Sequence, residues 1–166
     1  MARACLSLVS LAAVVVGISP ASGRGAVVFA GGAWAAVDRG GTCEALSRSV
    51  RIAAKGKVQA TAGFAFSADR RRWGEFHAVL WRMPRPGASV MLRVGDQPFL
   101  LVSRGNLAWS SGPLQEQAII AAVRGASGMS VESRDSAGHS FADPYSLDGA
   151  ATAIDAAAAA CAGKNR

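Results

Sequence analysis

Residues 141–161 read FADPYSLDGAATAIDAAAAAC, and the stretch changes character partway along. It begins extended, and Asp143-Pro144 reads as a turn. Beyond it, Leu147, Ala150, Ala151, Ile154, Ala157, Ala158 and Cys161 recur at the three- and four-residue spacing that gathers apolar groups on one helix face. Asp148 suits the N-cap, where a carboxylate accepts from free amides at the positive end of the dipole. Gly163 offers a left-handed stop, with Lys164 and Arg166 near the negative end. Alanine buries little surface, so this helix needs an attachment besides packing. Cys161 is the natural one.

What Cys161 attaches to depends on the other end of the chain. Residues 1–23, MARACLSLVSLAAVVVGISPASG, have one Arg, an apolar run over 4–18, then Pro and small residues. That is the layout of a secretory signal peptide, with cleavage before Arg24 expected first and after Ala21 second. The alternative, a membrane anchor, needs about 18 to 20 apolar residues, more than this run supplies. Cys5 lies too early to serve as a lipid acceptor. Removing the leader leaves Cys43 and Cys161 as an even pair in an oxidising compartment, which favours a disulfide. Two free thiols and a metal pair are the rival readings, although the two positions lack the local spacing of a zinc site.

Residues 24–166 are enough for one domain with its own core. The whole chain carries a net charge of +7, one unit of it from Arg3 in the leader. A basic exported protein meets anionic glycolipid or acidic glycans readily. Here the positive residues are mostly Arg and Ala is abundant, both habits of GC-rich codons, so charge alone does not name a partner.

The rest of the chain reads as short strands. Residues 26–37 form a first strand interrupted at Gly31-Gly32, with Trp34 as core anchor, and residues 42–50 carry Cys43 in a second. Val58, Ala60, Ala62, Phe64 and Phe66 alternate with Gln59, Thr61, Gly63 and Ala65, a strand buried on one face. In residues 73–83 Phe76, Ala78 and Leu80 fall on one side, and His77, Val79 and Trp81 on the other. A hairpin around Gly95-Asp96-Gln97-Pro98 follows, then a short strand ending at Trp109. Gly112-Pro113 opens a short helix that closes at Arg124-Gly125, and Met129 to Ser133 resumes a strand. Strands every 8 to 12 residues or so with few helices predict a mainly β domain, an antiparallel sandwich or barrel with one short internal helix and a C-terminal helix.

Chemistry is harder to find. The chain has two histidines, His77 and His139, and no nucleophile elbow, zinc-protease motif or phosphate-cradling loop. His77 reads as a packed imidazole and His139 as a loop residue. Asp135, Asp143 and Asp148 read as turn and cap residues. Trp34, Trp81 and Trp109 fall in strands, where core packing is the expectation. Neither a metal site nor a cofactor is expected. Arg70, Arg71 and Arg72 beside Trp73 are the densest charge. They read either as a solvated hairpin tip or as an anion-contacting site on which Trp73 stacks a sugar or base.

Trp34 with Cys43, the VMLRVGDQPF hairpin at 90–99, Ala108-Trp109, the helix ending Val123-Arg124-Gly125, Met129 to Val131, and YSLDGAATA with Cys161 come in a telling order. The chain thereby resembles the invasion associated locus B family of small exported bacterial proteins, over most of residues 24–166. The resemblance implies a β-sandwich with helices, a periplasmic or surface location, and a role at the envelope linked in some members to host-cell invasion. It carries over no catalytic residues. The expected protein is therefore a non-enzymatic envelope binding or accessory module, whose partner is an envelope or host component such as an anionic glycolipid or a protein. Nucleic acid is not expected. A hydrolase using His77 or His139, and an inhibitor of a secreted protease, are the competing classes.

Overall fold

The computed structural model describes residues 25–165, so the expected leader and Arg166 lie outside the described residues. Among these, ten antiparallel strands form one sheet accompanied by two helices and a terminal 3-10 turn, which makes the chain mainly β as expected. The strands are β1 (Ala26–Gly31), β2 (Trp34–Asp38), β3 (Thr42–Arg48), β4 (Thr61–Ser67), β5 (Trp73–Val79), β6 (Val90–Val94), β7 (Gln97–Arg104), β8 (Leu107–Trp109), β9 (Gly128–Arg134) and β10 (Ser140–Ser146). Their order in the sheet is β1-β2-β3-β4-β5-β8-β7-β6-β9-β10. Helix α1 (Pro113–Gly125) leaves β8, and α2 (Ala150–Ala162) follows β10.

Strand β7 divides the sheet. Its first part, from Gln97 to Leu101, pairs with β6, while Val102, Ser103 and Arg104 pair with β8. One arm therefore holds β1 to β5 with β8, and the other holds β6, β9 and β10. The sheet coils until its last strand returns to the first arm. The Val50 amide and the Ser49 hydroxyl both donate to the Pro144 carbonyl at 2.9 Å.

The core of the first arm follows from strand period. Trp34, Cys43, Ala45, Phe64, Phe66, Phe76 and Ala78 share one face by register and are buried. Phe64 and Phe76 meet edge to face at 5.5 Å, and Trp34 tilts against Phe64 at 6.0 Å. Burying each Phe contributes about 1.5 to 3 kcal/mol. Helix α2 covers this face, packing on β1, β2, β3 and β4 through Ala150, Ala153, Ile154, Ala157 and Cys161. Small residues let the helix lie close, and a disulfide fastens it. Cys43 and Cys161 are bonded with their Cα atoms 5.7 Å apart. Helix α1 packs on β5, and Arg124 of α1 pairs with Asp155 of α2.

Several local expectations change. The expected first strand is a hairpin: β1 and β2 turn at Gly31 to Ala33 rather than bend. The turn is placed by contact, because the Ala33 amide donates to the Asp148 carbonyl at 2.9 Å. Gly32 (φ +57°) and Gly149 (φ +83°) lie in the left-handed region, and a Cβ on either would strike the other loop's backbone. Asp143 and Pro144 do not turn; they lie within β10, paired with Val131 and Ser130 of β9. Pro144 is tolerated because its missing N–H costs no bond at the sheet's last strand. The turn comes later, and Gly149, not Asp148, is the N-cap of α2, with no side-chain cap bond. Gly163 is right-handed (φ −72°), since a 3-10 turn continues the helix. Strand β4 begins at Thr61 rather than Val58. The Gln59 side chain accepts from the Ala53 amide and donates to the Arg51 carbonyl, both at 2.9 Å, holding the preceding residues as a loop.

Candidate ligand-binding surfaces

The expected arginine cluster is the connection between β4 and β5. Short polar side chains shape it: Ser67 Oγ donates to Asp69 Oδ1 at 2.6 Å, and the Arg71 and Arg72 amides donate to Asp69 Oδ1 and Ser67 Oγ. The bond from Ser67 foremost, with that from the Arg71 amide, holds the Asp69 carboxyl below its ordinary range. Arg71 lies 3.5 Å from Asp69 and Arg72 2.7 Å from Glu75. Arg70 behaves differently. It is the only non-glycine residue with positive φ among those described, at 60°, and its guanidinium sits 4.0 Å from the Trp73 ring centroid. Trp73 in turn meets Phe66 edge-on at 5.3 Å.

Beside this tip, a groove of about 530 Å³ runs between Trp73, Trp109 and the start of α1 at Pro113. Trp109 was expected in the core; it is half-buried on the outer face of the sheet, paired with His77. Glu116 also lines the groove. Burial pushes its carboxyl up from the ordinary value, while Ser110 Oγ, donating at 3.2 Å, opposes the shift. Glu116 is an acid of the first turn of α1, and only tertiary packing of α1 on β5 makes it a groove residue.

The two histidines lie on separate features. His77 is half-buried on the outer face, over a groove of about 660 Å³ that includes Leu46, Thr61 and Val79. Burial lowers its pKa, opposed by the charge of Glu44, and Nδ1 has no hydrogen-bond partner. His139 is exposed in the β9–β10 turn, where Asp135 Oδ1 accepts from the His139 and Ala137 amides at 3.0 Å. Burial alone would raise the Asp135 carboxyl, but these bonds and Arg82 at 2.6 Å outweigh it and hold the group low. Asp135 is thus a turn residue, as expected. No group of three or more metal-ligating side chains occurs among the described residues.

Asp143 departs furthest from its reading. It is fully buried, and one oxygen, Oδ2, accepts from the Trp81 amide at 3.2 Å. Its other oxygen, together with Trp81 Nε1 and Tyr145 Oη, has no hydrogen-bond partner. Desolvation raises the Asp143 carboxyl to about 6, against the Trp81 amide and the charge of Arg51. Burial, with the Asp143 charge added, raises the Tyr145 hydroxyl. Trp81 packs edge-on against Phe141 at 6.4 Å and has the guanidinium carbons of Arg82 and Arg51 at 4.0 and 5.0 Å from its ring. The signal for this cluster was present: Phe141, Asp143 and Tyr145 are two residues apart and face one way if the strand runs on through Pro144.

No described helix is long and apolar enough to cross a membrane. Comparison with protein-family models, with curated proteins and with solved structures finds no match to this chain.

Proposed function

We propose that this chain is an exported, non-enzymatic binding or accessory protein of the cell envelope, of the kind its resemblance to the invasion associated locus B family implies. The observation that carries the reading is the Cys43–Cys161 disulfide, which ties α2 to β3 across 118 residues. Such bonds persist on the oxidising side of a membrane, and this agrees with the leader expected at residues 1–23. Arg70, Arg71, Arg72 and Trp73 are the contact surface in this reading, and its ligand is an anionic envelope glycolipid. Arg70 supports that assignment: a left-handed backbone at a non-glycine residue costs about 1 kcal/mol or more and tends to mark a functional contact. Because Arg70 already covers one face of Trp73, the ligand meets the stacked guanidinium rather than the bare ring.

The test replaces Arg70, Arg71 and Arg72 with Ser in the 24–166 chain and measures binding to vesicles carrying anionic glycolipid at low and moderate salt. The expected result is weaker binding and a shallower salt dependence, since exposed charges are screened over about 8 Å at physiological ionic strength. Unchanged affinity with an unchanged salt slope would remove the tip from the proposal.

A further inference from the structure

Half of the twelve arginines of the described chain have a carboxylate within ion-pair distance. Arg39, Arg71, Arg72, Arg82, Arg93 and Arg124 each lie within ion-pair distance of an Asp or Glu. Of the six without one among the described residues, Arg48, Arg70 and Arg104 are dispersed over other surfaces, while Arg51, Arg85 and Arg134 line one groove on the second arm of the sheet. They come from three separate segments: the loop after β3, the loop after β5, and the end of β9. The Arg85 amide donates to the Arg134 carbonyl at 2.9 Å, so the backbone holds two of the three side by side. Arg134 Nη1 donates to the Gly138 carbonyl at 3.1 Å, which leaves most of its fork free. Arg51 is steered by its place near the Trp81 ring, 5.0 Å from the centroid.

We infer that this groove is a binding site for a phosphate-bearing anion. Arg51 also feels the buried Asp143 carboxyl, but the three guanidinium groups lining this groove have no carboxylate within ion-pair distance, and a phosphate is recognised by such groups through paired N–H···O bonds. The groove holds one acid, Glu132, but Ser130 Oγ donates to it at 2.6 Å and Arg93 lies 3.6 Å away. Its volume of about 620 Å³ leaves room beyond one phosphate, with Phe141 and Met91 in the lining to take an apolar part of the ligand. Phosphate esters of soluble molecules and of lipid headgroups share this chemistry. The inference does not depend on export, on the envelope reading or on the tip at residues 70–72.

The experiment measures binding of the 24–166 chain to inorganic pyrophosphate, and separately to vesicles of equal parts phosphatidylglycerol and phosphatidylcholine, with phosphatidylcholine alone as blank. Three variants are compared with the parent: Arg51→Gln/Arg85→Gln/Arg134→Gln, the charge-matched Arg39→Gln/Arg104→Gln/Arg124→Gln, and Arg85→Gln alone. The Arg85 side chain makes no hydrogen bond or ion pair among the described residues, so its loss leaves the fold intact. The expected result is tenfold or greater weakening in the groove triple, severalfold weakening in Arg85→Gln, and less than about twofold in the charge-matched triple. Binding to pyrophosphate identifies a soluble phosphate ligand, and binding to vesicles alone identifies a lipid headgroup; either supports the groove. Equal losses in both triples, no loss in the groove triple, or no binding by the parent to either probe would overturn it.

Discussion

The two arms joined by β7 hold their interiors together by different means. In the first, Phe64, Phe66, Phe76 and Trp34 are packed ring against ring beneath α2, where Trp34 Nε1 donates to the Ser146 carbonyl at 2.8 Å. The single buried side-chain polar atom without a partner among the described residues of this arm, His77 Nδ1, lies on the outer face away from that core. In the second, where β10 returns to the ends of β3 and β5, a carboxylate, an indole N–H and a phenol are buried and short of partners. Buried polar groups are nearly always satisfied, because leaving one unpaired costs about 1 to 3 kcal/mol. The first arm is built for stability. The second retains a costly polar cluster directly behind the arginine groove, sharing Phe141 and Arg51 with it, and that is where function is the better explanation of the cost.

The largest expected effect tests the stable arm. Replacing both cysteines, Cys43→Ser with Cys161→Ser, releases a loop spanning 118 residues. In the chain-entropy picture the bond contributes up to about 5 kcal/mol. Urea unfolding of the double variant is expected to show most of that loss. A loss under about 1 kcal/mol would mean that α2 is held by packing alone, and the contrast between the arms would weaken.

A smaller effect of opposite sign is expected in the polar arm. The folded-state Asp143 carboxyl lies near 6, raised from 3.8. A raised folded value means the native state binds the proton more tightly, so its stabilisation is fully present below about pH 4 and lost as pH rises through about 6. Two units correspond to roughly 3 kcal/mol. Asp143→Asn keeps an acceptor for the Trp81 amide without the charge. It is expected to be more stable than the parent at pH 8, by up to about 3 kcal/mol, and within about 1 kcal/mol of it at pH 4. Asp38, Asp69 and Asp135, whose carboxyls are held low, act in the opposite direction but are common to both proteins and cancel in the difference. A variant less stable than the parent at both pH values would show that the carboxylate is a net structural asset.

The strands of the first arm were legible because one face is apolar at period two: the alternation of Phe64, Phe66, Phe76 and Ala78 is the core face itself. The disulfide was legible from cysteine count and the expected compartment. What failed did so where tertiary contact overrode local chemistry. Asp143-Pro144 has the composition of a turn, yet pairing with Val131 and Ser130 keeps it in a strand. Asp148 has the chemistry of a cap, but its carbonyl is committed to Ala33, and Gly149 takes the left-handed position that starts α2. The tip at residues 70–72 was visible as a charge run. The groove was not, because Arg51, Arg85 and Arg134 are far apart in sequence and share one surface only once the loop after β5 pairs with the end of β9 and β10 closes on the end of β3.

The account rests on a buried, poorly partnered carboxylate in the second arm, and a side-chain carboxyl titration of Asp143 by NMR in the 24–166 chain tests it most directly. The expected result is a midpoint near 6, absent in Asp143→Asn, while Asp69 and Asp135 titrate below the ordinary carboxylate value. A midpoint for Asp143 at or below about 4 would mean the group is well solvated or fully hydrogen-bonded, and the distinction drawn between the two arms would be contradicted.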